Sequence, residues 1–251
     1  MKTSLPQVTR IVSVADESPE QRTFVLDLSL EAEPGQFVMV WLPGVDEKPF
    51  SLVHDDPVTL TVARVGPFTA AVHALGAGDR LWVRGPFGHP FTLPEAPLDC
   101  SPLSQCPILL AGGGCGVAPL YFLAERARAA GWSVTMVIGV RSAADILFVE
   151  RFESLGVQVV VSTDDGSLGR KGLATDTAAE LLALADYQAL YACGPEPMLD
   201  AVERLAHSRK LPAQLSYERY MRCGFGVCGS CVRAGWLVCR DGPVRHVKPE
   251  A

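Results

Sequence analysis

Near the end of the chain, Cys223, Cys228, Cys231 and Cys239 follow one another with the spacing C-x4-C-x2-C-x7-C, interleaved with Gly224, Gly226 and Gly229. No other feature limits the possible folds so much. A segment this short buries too little apolar surface to hold a shape alone, so it needs a staple. Glycines let the backbone take a tight path and bring its N–H groups close to whatever the sulfurs surround. The chain has 8 cysteines in all. Residues Met1 to Arg10 show no apolar run of the secretory kind, so the expectation is a cytoplasmic chain whose clustered thiols bind metal rather than form disulfides.

The first three cysteines match the C-x4-C-x2-C run of plant-type [2Fe–2S] ferredoxins, with a more distant fourth ligand. A structural zinc site on four thiolates is the rival. Zinc ribbons present two close pairs, and here only Cys228 and Cys231 form one. The spacing favours the cluster and leaves zinc open. Cys239 is expected to return from a strand-like segment, Trp236–Val238.

Of the 251 residues 48% are hydrophobic, enough for a substantial core. The net charge of −6 argues against a nucleic-acid partner. Cys100 to Ala124 lacks charge over a length that would span a bilayer. Pro102, Pro107, Pro119 and Gly112-Gly113-Gly114 break it into loop, strand, turn and helix, so no membrane segment is expected.

Up to about Leu93 the pattern is β. Arg22 to Leu30 alternates, with Phe24, Leu26, Leu28 and Leu30 on one face. Further strands are expected at Gln7–Ser13, Gln36–Leu42, Thr59–Arg64 and Arg80–Arg84, divided by Pro-Gly and Gly-Pro turns. This reads as a small antiparallel Greek-key β-barrel, residues 1–98. Glu95 to Gln105 reads as a linker. From Pro107 the pattern turns to alternating strand and helix. Short apolar strands are expected at Ile108–Ala111, Ser133–Ile138, Gln158–Ser162, Ala189–Ala192 and Gln214–Tyr217. Helices are expected at Pro119–Ala130, with Pro119 in the first helical position, and at Leu173–Ala185 and Glu196–Ser208. That is a doubly wound parallel-sheet nucleotide-binding domain, residues 99–218. The cysteine module, residues 219–251, completes a β plus α/β chain.

Gly112, Gly113, Gly114, Cys115 and Gly116 follow a strand and open a helix, a place suited to a pyrophosphate. Taken alone, the run also suits a tight turn, and it is not the G-x-G-x-x-G fingerprint. Cys193-Gly194-Pro195 ends a later strand at the same sheet edge. Cys193 reads equally as a site residue and as a small core residue. Lys48-Pro49-Phe50-Ser51 reads locally as a turn carrying a cation and a hydroxyl.

Taken in order, these motifs resemble the ferredoxin-reductase superfamily, and most closely the electron-transfer subunits of type B dihydroorotate dehydrogenases. The likeness spans essentially the whole chain. It implies FAD on Lys48, Pro49, Phe50 and Ser51, similar to an R-P-x-S motif in which lysine keeps the charge and loses the bidentate fork. A second flavin segment would involve Ala63, Arg64, Gly66, Phe68 and Thr69, with Phe68 where many relatives have glycine. The likeness further implies NAD(H) on Gly112, Gly113, Gly114, Cys115, Gly116, Asp164, Cys193, Gly194 and Pro195. The acidic pair Asp164-Asp165 favours NAD over NADP. The metal ligands would be Cys223, Cys228, Cys231 and Cys239. The gap before Cys239 is short, as in the archaeal-type version of the module.

The implied activity is electron relay. Hydride moves two electrons and a cluster moves one, so FAD stands between NAD(H) and the cluster. No catalytic acid or base is required of this chain. Dihydroorotate oxidation would need a separate barrel domain of about 250 residues. A catalytic FMN-containing partner is therefore implied, in a heterotetramer of two plus two serving pyrimidine biosynthesis. The alternatives are a reductase subunit of an NADH–ferredoxin or hydrogenase-type complex, an oxygenase reductase, and a zinc-stapled nucleotide-binding protein without enzymatic activity.

Overall fold

The computed structural model describes residues 5–95 and 107–248. Most of the expected linker lies outside them. The chain divides into two units: residues up to Pro90 together with Glu218–Val244, and Phe91–Tyr217 together with the residues from Arg245. The cysteine module is thus part of the first unit, not a third body. Its own apolar residues are too few for a core, and it shares one with the N-terminal strands.

In the first unit, the strands are β1 (Gln7–Ser18), β2 (Gln21–Leu26), β3 (Phe37–Leu42), β4 (Asp46–Ser51), β5 (His54–Asp55), β6 (Val58–Ala63) and β7 (Arg80–Phe87). They form one antiparallel sheet in the order β4-β3-β7-β1-β2-β6-β5. Its ends approach each other where β4 meets β6, which gives the barrel-like form. The alternation from Arg22 outlasts the ladder, which stops at Leu26. The Asp27 N–H bonds back to the Arg10 carbonyl and the Leu28 N–H to the Leu26 carbonyl, bending the chain away.

Two expected turns are regular structure. Lys48-Pro49-Phe50-Ser51 lies in β4, with Pro49 opposite Met39. Because β4 ends the sheet order, the proline's missing N–H removes no bond to an outer neighbour. Gly66-Pro67 begins the helix α1 (Pro67–His73), with Pro67 as its first residue.

The second unit holds β8 (Pro107–Gly113), β9 (Ser133–Val140), β10 (Gln158–Thr163), β11 (Arg170–Lys171), β12 (Ala189–Cys193) and β13 (Ala213–Ser216). Its helices are α2 (Val117–Ala129), α3 (Val149–Ser154), α4 (Ala174–Leu184) and α5 (Glu196–Arg209). Pro119 is the third residue of α2, not the first, because a 3-10 turn at Gly114–Gly116 leads straight into the helix. Within the first turn its missing N–H still costs no helical bond. Back in the first unit, the cysteine module forms a hairpin, β14 (Val232–Arg233) with β15 (Trp236–Leu237), and a helical turn α6 (Val238–Asp241), before β16 (Val244–Val247).

The second sheet runs β11-β10-β9-β8-β12-β13-β16, and every pair from β11 to β13 is parallel. From β8 the chain winds outward through β9 and β10, then crosses to the other side at β12. The switch point therefore falls between β8 and β12, where open α/β sheets bind ligands. Ile108, Leu109, Leu110 and Ala111 are wholly buried, as expected of a central strand covered on both faces. Among the described residues, no helix is long and apolar enough to cross a membrane.

Candidate functional site

The cysteine loop lies on the N-terminal strands. Phe37, Met39 and Phe87 form one buried cluster with Met221, Cys231, Val238 and Cys239, and Cys223, Phe225, Trp236 and Leu237 pack against it. Gly224, at φ 80°, lies so close that an added Cβ would stand 2.8 Å from Met39 Cγ. Only glycine satisfies both that backbone and that approach. Cys239 sits in the helical turn α6 rather than in a strand. The hairpin turn at Ala234-Gly235, both at positive φ, reverses the chain, and the Leu237 N–H bonds to Asp241 Oδ2 at 2.8 Å and fixes the turn.

The thiols stand as two pairs. Cys231 donates to the Cys239 sulfur at 3.2 Å, and Cys223 and Cys228 perturb each other's titration. Among the described residues, no three His, Cys, Asp or Glu side chains gather around one metal-ion position. In a two-iron cluster each iron takes two cysteines, and the adjacent Cys231 and Cys239 sulfurs are placed for one such pair. A single zinc needs all four sulfurs around one centre. Backbone N–H groups already point at sulfur: Gly226 at Cys239 (3.1 Å), Val227 at Cys223 (3.4 Å) and Cys239 at Cys231 (3.4 Å). Such donors stabilise thiolate and tune a cluster. The donor set fits a [2Fe–2S] group.

The two pairs differ in environment. The exposed Cys228 thiol is brought down to about 6, first by the Ser230 hydroxyl and backbone and then by Cys223. Burial pushes the Cys239 thiol up to about 12, with the neighbouring Cys231 adding to it. Burial acts to raise the Cys223 thiol, but N–H groups of Cys228, Phe225 and Val227 together hold it below the usual value.

A surface groove of about 650 Å³ opens beside Cys223, lined by Pro6, Trp41, Asp46, Glu47, Arg84 and Phe225. The Arg84 guanidinium grips Glu47 with two bonds, of 2.6 and 2.8 Å, and lies over the rings of Phe87 and Phe225. Nothing in the sequence marked this pair, because Arg84 falls at the edge of what reads as a turn.

The proposed flavin residues lie on β4, on β6 and around the start of α1. Lys48 pairs with Asp46 and stands 4.9 Å over the Tyr220 ring. Phe50 and Phe68 stack with their centroids 6.1 Å apart, so the phenylalanine in the glycine position serves the core. Arg64 donates two hydrogen bonds to Glu20, at 3.1 and 2.9 Å. Thr69 Oγ1 accepts from the N–H groups of Val65 and Gly66, which uses it as the helix cap. Gly66 is open, with nothing within 4 Å of where a Cβ would stand. Ser51 and Ala63 are half-buried.

At the switch point, Cys193 pairs in register with Gly112, so the β8 and β12 loops lie side by side. The glycines there have different duties. A Cβ on Gly116 would meet the Cys193 carbonyl oxygen at 2.1 Å, and one on Gly113 would meet Met198 Sδ at 2.6 Å. Both are packing glycines. Gly114, at φ 54° with open space around it, is the one free to approach a ligand. The first turn of α2 carries no acid, so its positive end is uncancelled. The Cys193 side chain is 1% exposed, a core position, while Gly194 and Pro195 continue to the start of α5. Asp164 is exposed after β10, and its N–H bonds to the Val140 carbonyl.

Comparison with known proteins supplies the remaining findings. A family described as the iron–sulfur cluster binding domain of dihydroorotate dehydrogenase B matches residues 218–247. A family described as the oxidoreductase NAD-binding domain matches residues 110–204. A probable dihydroorotate dehydrogenase B (NAD+) electron transfer subunit of Thermococcus kodakarensis is 43% identical over 95% of each chain. The protein of the same description from Methanothermobacter thermautotrophicus is 43% identical over 96% of this chain and 89% of its own. Among solved structures, one of an NADH-dependent reduced ferredoxin–NADP oxidoreductase superposes with a TM-score of 0.82 at 27% identity, covering 98% of this chain and 89% of that one. A cytochrome P450 reductase of Amycolatopsis gives 0.69 at 29% identity, over 84% and 68%.

Proposed function

From the premise that the chain belongs to the electron-transfer subunits of NAD+-linked dihydroorotate dehydrogenase B, we propose that it passes electrons from a dihydroorotate-oxidising partner to NAD+ in the cytoplasm. The observation that carries the reading is the close Cys231–Cys239 pair, with backbone N–H groups aimed at the cysteine sulfurs, in the segment that matches the cluster-binding family. Cys223, Cys228, Cys231 and Cys239 would hold a [2Fe–2S] cluster. FAD would lie on β4, at Lys48, Pro49, Phe50 and Ser51, and along Ala63, Arg64, Gly66, Phe68 and Thr69. NAD+ would lie on Gly112 to Gly116, with Asp164, Cys193, Gly194 and Pro195. When bound, these groups join two-electron hydride exchange to one-electron transfer through the flavin.

The residues of the chain set the conditions. Burial of Cys231 and Cys239 keeps water from one side of the cluster site, and exposed Cys228 leaves the other side open to a partner. The glycine run and the α2 N-terminus offer N–H groups and positive dipole to a pyrophosphate. Asp164 would accept from a ribose hydroxyl and repel a phosphate there.

Lys48 is expected to leave Asp46 for an FAD phosphate. Lys48→Met should weaken FAD binding by about tenfold to a hundredfold, the worth of one charge-assisted hydrogen bond, while Lys48→Arg should keep it. Titration of the flavin-free protein with FAD measures this.

The function is tested by purifying the chain with its native partners and assaying dihydroorotate-dependent NAD+ reduction. A complex of the two-plus-two kind with that activity is expected. The structural likeness to a ferredoxin–NADP oxidoreductase favours a second reading, a ferredoxin-linked reductase subunit. Co-purification with a ferredoxin, without dihydroorotate activity, would replace the first reading with that one.

A further inference from the structure

The geometry points to Arg84 as a positioning residue for the cluster loop, acting through Phe225 and Phe87 rather than by touching a sulfur. The inference rests on the reading of the four cysteines as cluster ligands. Arg84 lies on β7 opposite Met39, on the strands that the loop packs against. Its guanidinium lies 5.4 Å from the Phe87 centroid and 5.6 Å from that of Phe225, within cation–π range of both. The two hydrogen bonds to Glu47 fix the plane of the guanidinium, and the pair is largely buried, at 11% and 22% side-chain exposure. In the chain Phe225 falls between the ligand Cys223 and the N–H groups of Gly226 and Val227, which donate to Cys239 and Cys223. The Phe87 ring also flanks Gly224, 3.5 Å from where a Cβ would stand, beside Met39. Arg84 therefore holds the ring beside the two donors and the surface beneath the loop. A lysine would keep the charge but not the flat face or the fork.

The experiment compares the wild-type protein with Arg84→Met, Arg84→Lys and Phe225→Leu, all purified anaerobically with FAD and cluster. The rate at which a chelator bleaches the cluster's visible circular dichroism is followed, together with the electron paramagnetic resonance spectrum after dithionite reduction. Bound FAD reports that the barrel is folded. Arg84→Met and Arg84→Lys should both lose the cluster about ten- to a hundredfold faster, the usual effect of removing an outer-sphere support. Their resonance should broaden or shift, with FAD content unchanged. Wild-type bleaching and spectrum in Arg84→Met would overturn the inference, as would full rescue by Arg84→Lys, which would make charge alone the cause. If Arg84→Met fails to retain FAD, Phe225→Leu decides: faster loss supports the inference, and wild-type behaviour overturns it. A wild-type protein without any cluster would overturn both this inference and the reading beneath it, which separates the two failures.

Discussion

Cys228→Ser should abolish the cluster and leave the chain folded, whereas Cys239→Ser should abolish the cluster and also destabilise the fold. Both cysteines are proposed ligands, so both variants should lose dihydroorotate-dependent NAD+ reduction by more than about a hundredfold, beyond the loss expected from an outer-sphere change. They differ in where the hydroxyl goes. Cys228 is exposed, and serine there meets water. Cys239 is 2% exposed, in the cluster with Phe37, Met39, Phe87, Met221 and Val238. A poorly satisfied hydroxyl there costs about 1–3 kcal/mol. For a chain of this size that lowers Tm by roughly 2–4 °C per kcal/mol relative to Cys228→Ser. Iron analysis, thermal unfolding and NADH-dependent ferricyanide reduction complete the test. The last of these draws on the flavin side and should survive in Cys228→Ser. If both variants unfold at the same temperature, the shared core of module and barrel is wrong.

The second large effect is expected at the switch point. Gly116→Ala would drive a methyl group to 2.1 Å from the Cys193 carbonyl oxygen and 2.7 Å from the Gly194 nitrogen. Both are backbone atoms that no rotamer can move. Overpacking of this kind costs about 1–3 kcal/mol. It should also part the two loops of the proposed nucleotide site, so NAD+ affinity and stability should fall together. Gly114→Ala meets nothing within 4 Å and pays only for its left-handed backbone, about 1–2 kcal/mol. Calorimetric NAD+ binding beside thermal unfolding separates them. Gly114→Ala should lose proportionately more affinity than stability, and Gly116→Ala should lose both.

Much of this was legible in the residues, for physical reasons. Period-two alternation and short apolar runs located most long strands, because burial on one face or on two leaves those marks. Cysteine spacing located the module. What escaped is tertiary in origin. The β4 strand was hidden by Pro49, which is tolerated only because β4 ends the sheet order. The start of α1 was hidden by a Gly-Pro pair that reads as a turn and is in fact a helix entry. The glycine run read as one phosphate loop, yet Gly113 and Gly116 stand in tight packing while Gly114 stands in open space. The Arg84–Glu47 pair leaves no local signature, since its meaning lies in rings far away in the sequence. Phe68, noted as a departure from the flavin pattern, proves to be a core ring stacked on Phe50.

The central claim is that the four cysteines hold a redox cluster wired to NAD(H), not a zinc staple. Its most direct test is anaerobic purification, metal and acid-labile sulfide analysis, and electron paramagnetic resonance after addition of NADH alone. The account predicts iron and sulfide in equal amounts, flavin bands in the visible spectrum, and a reduced two-iron signal that NADH itself raises. Zinc without sulfide, or a cluster that dithionite reduces and NADH does not, would contradict it.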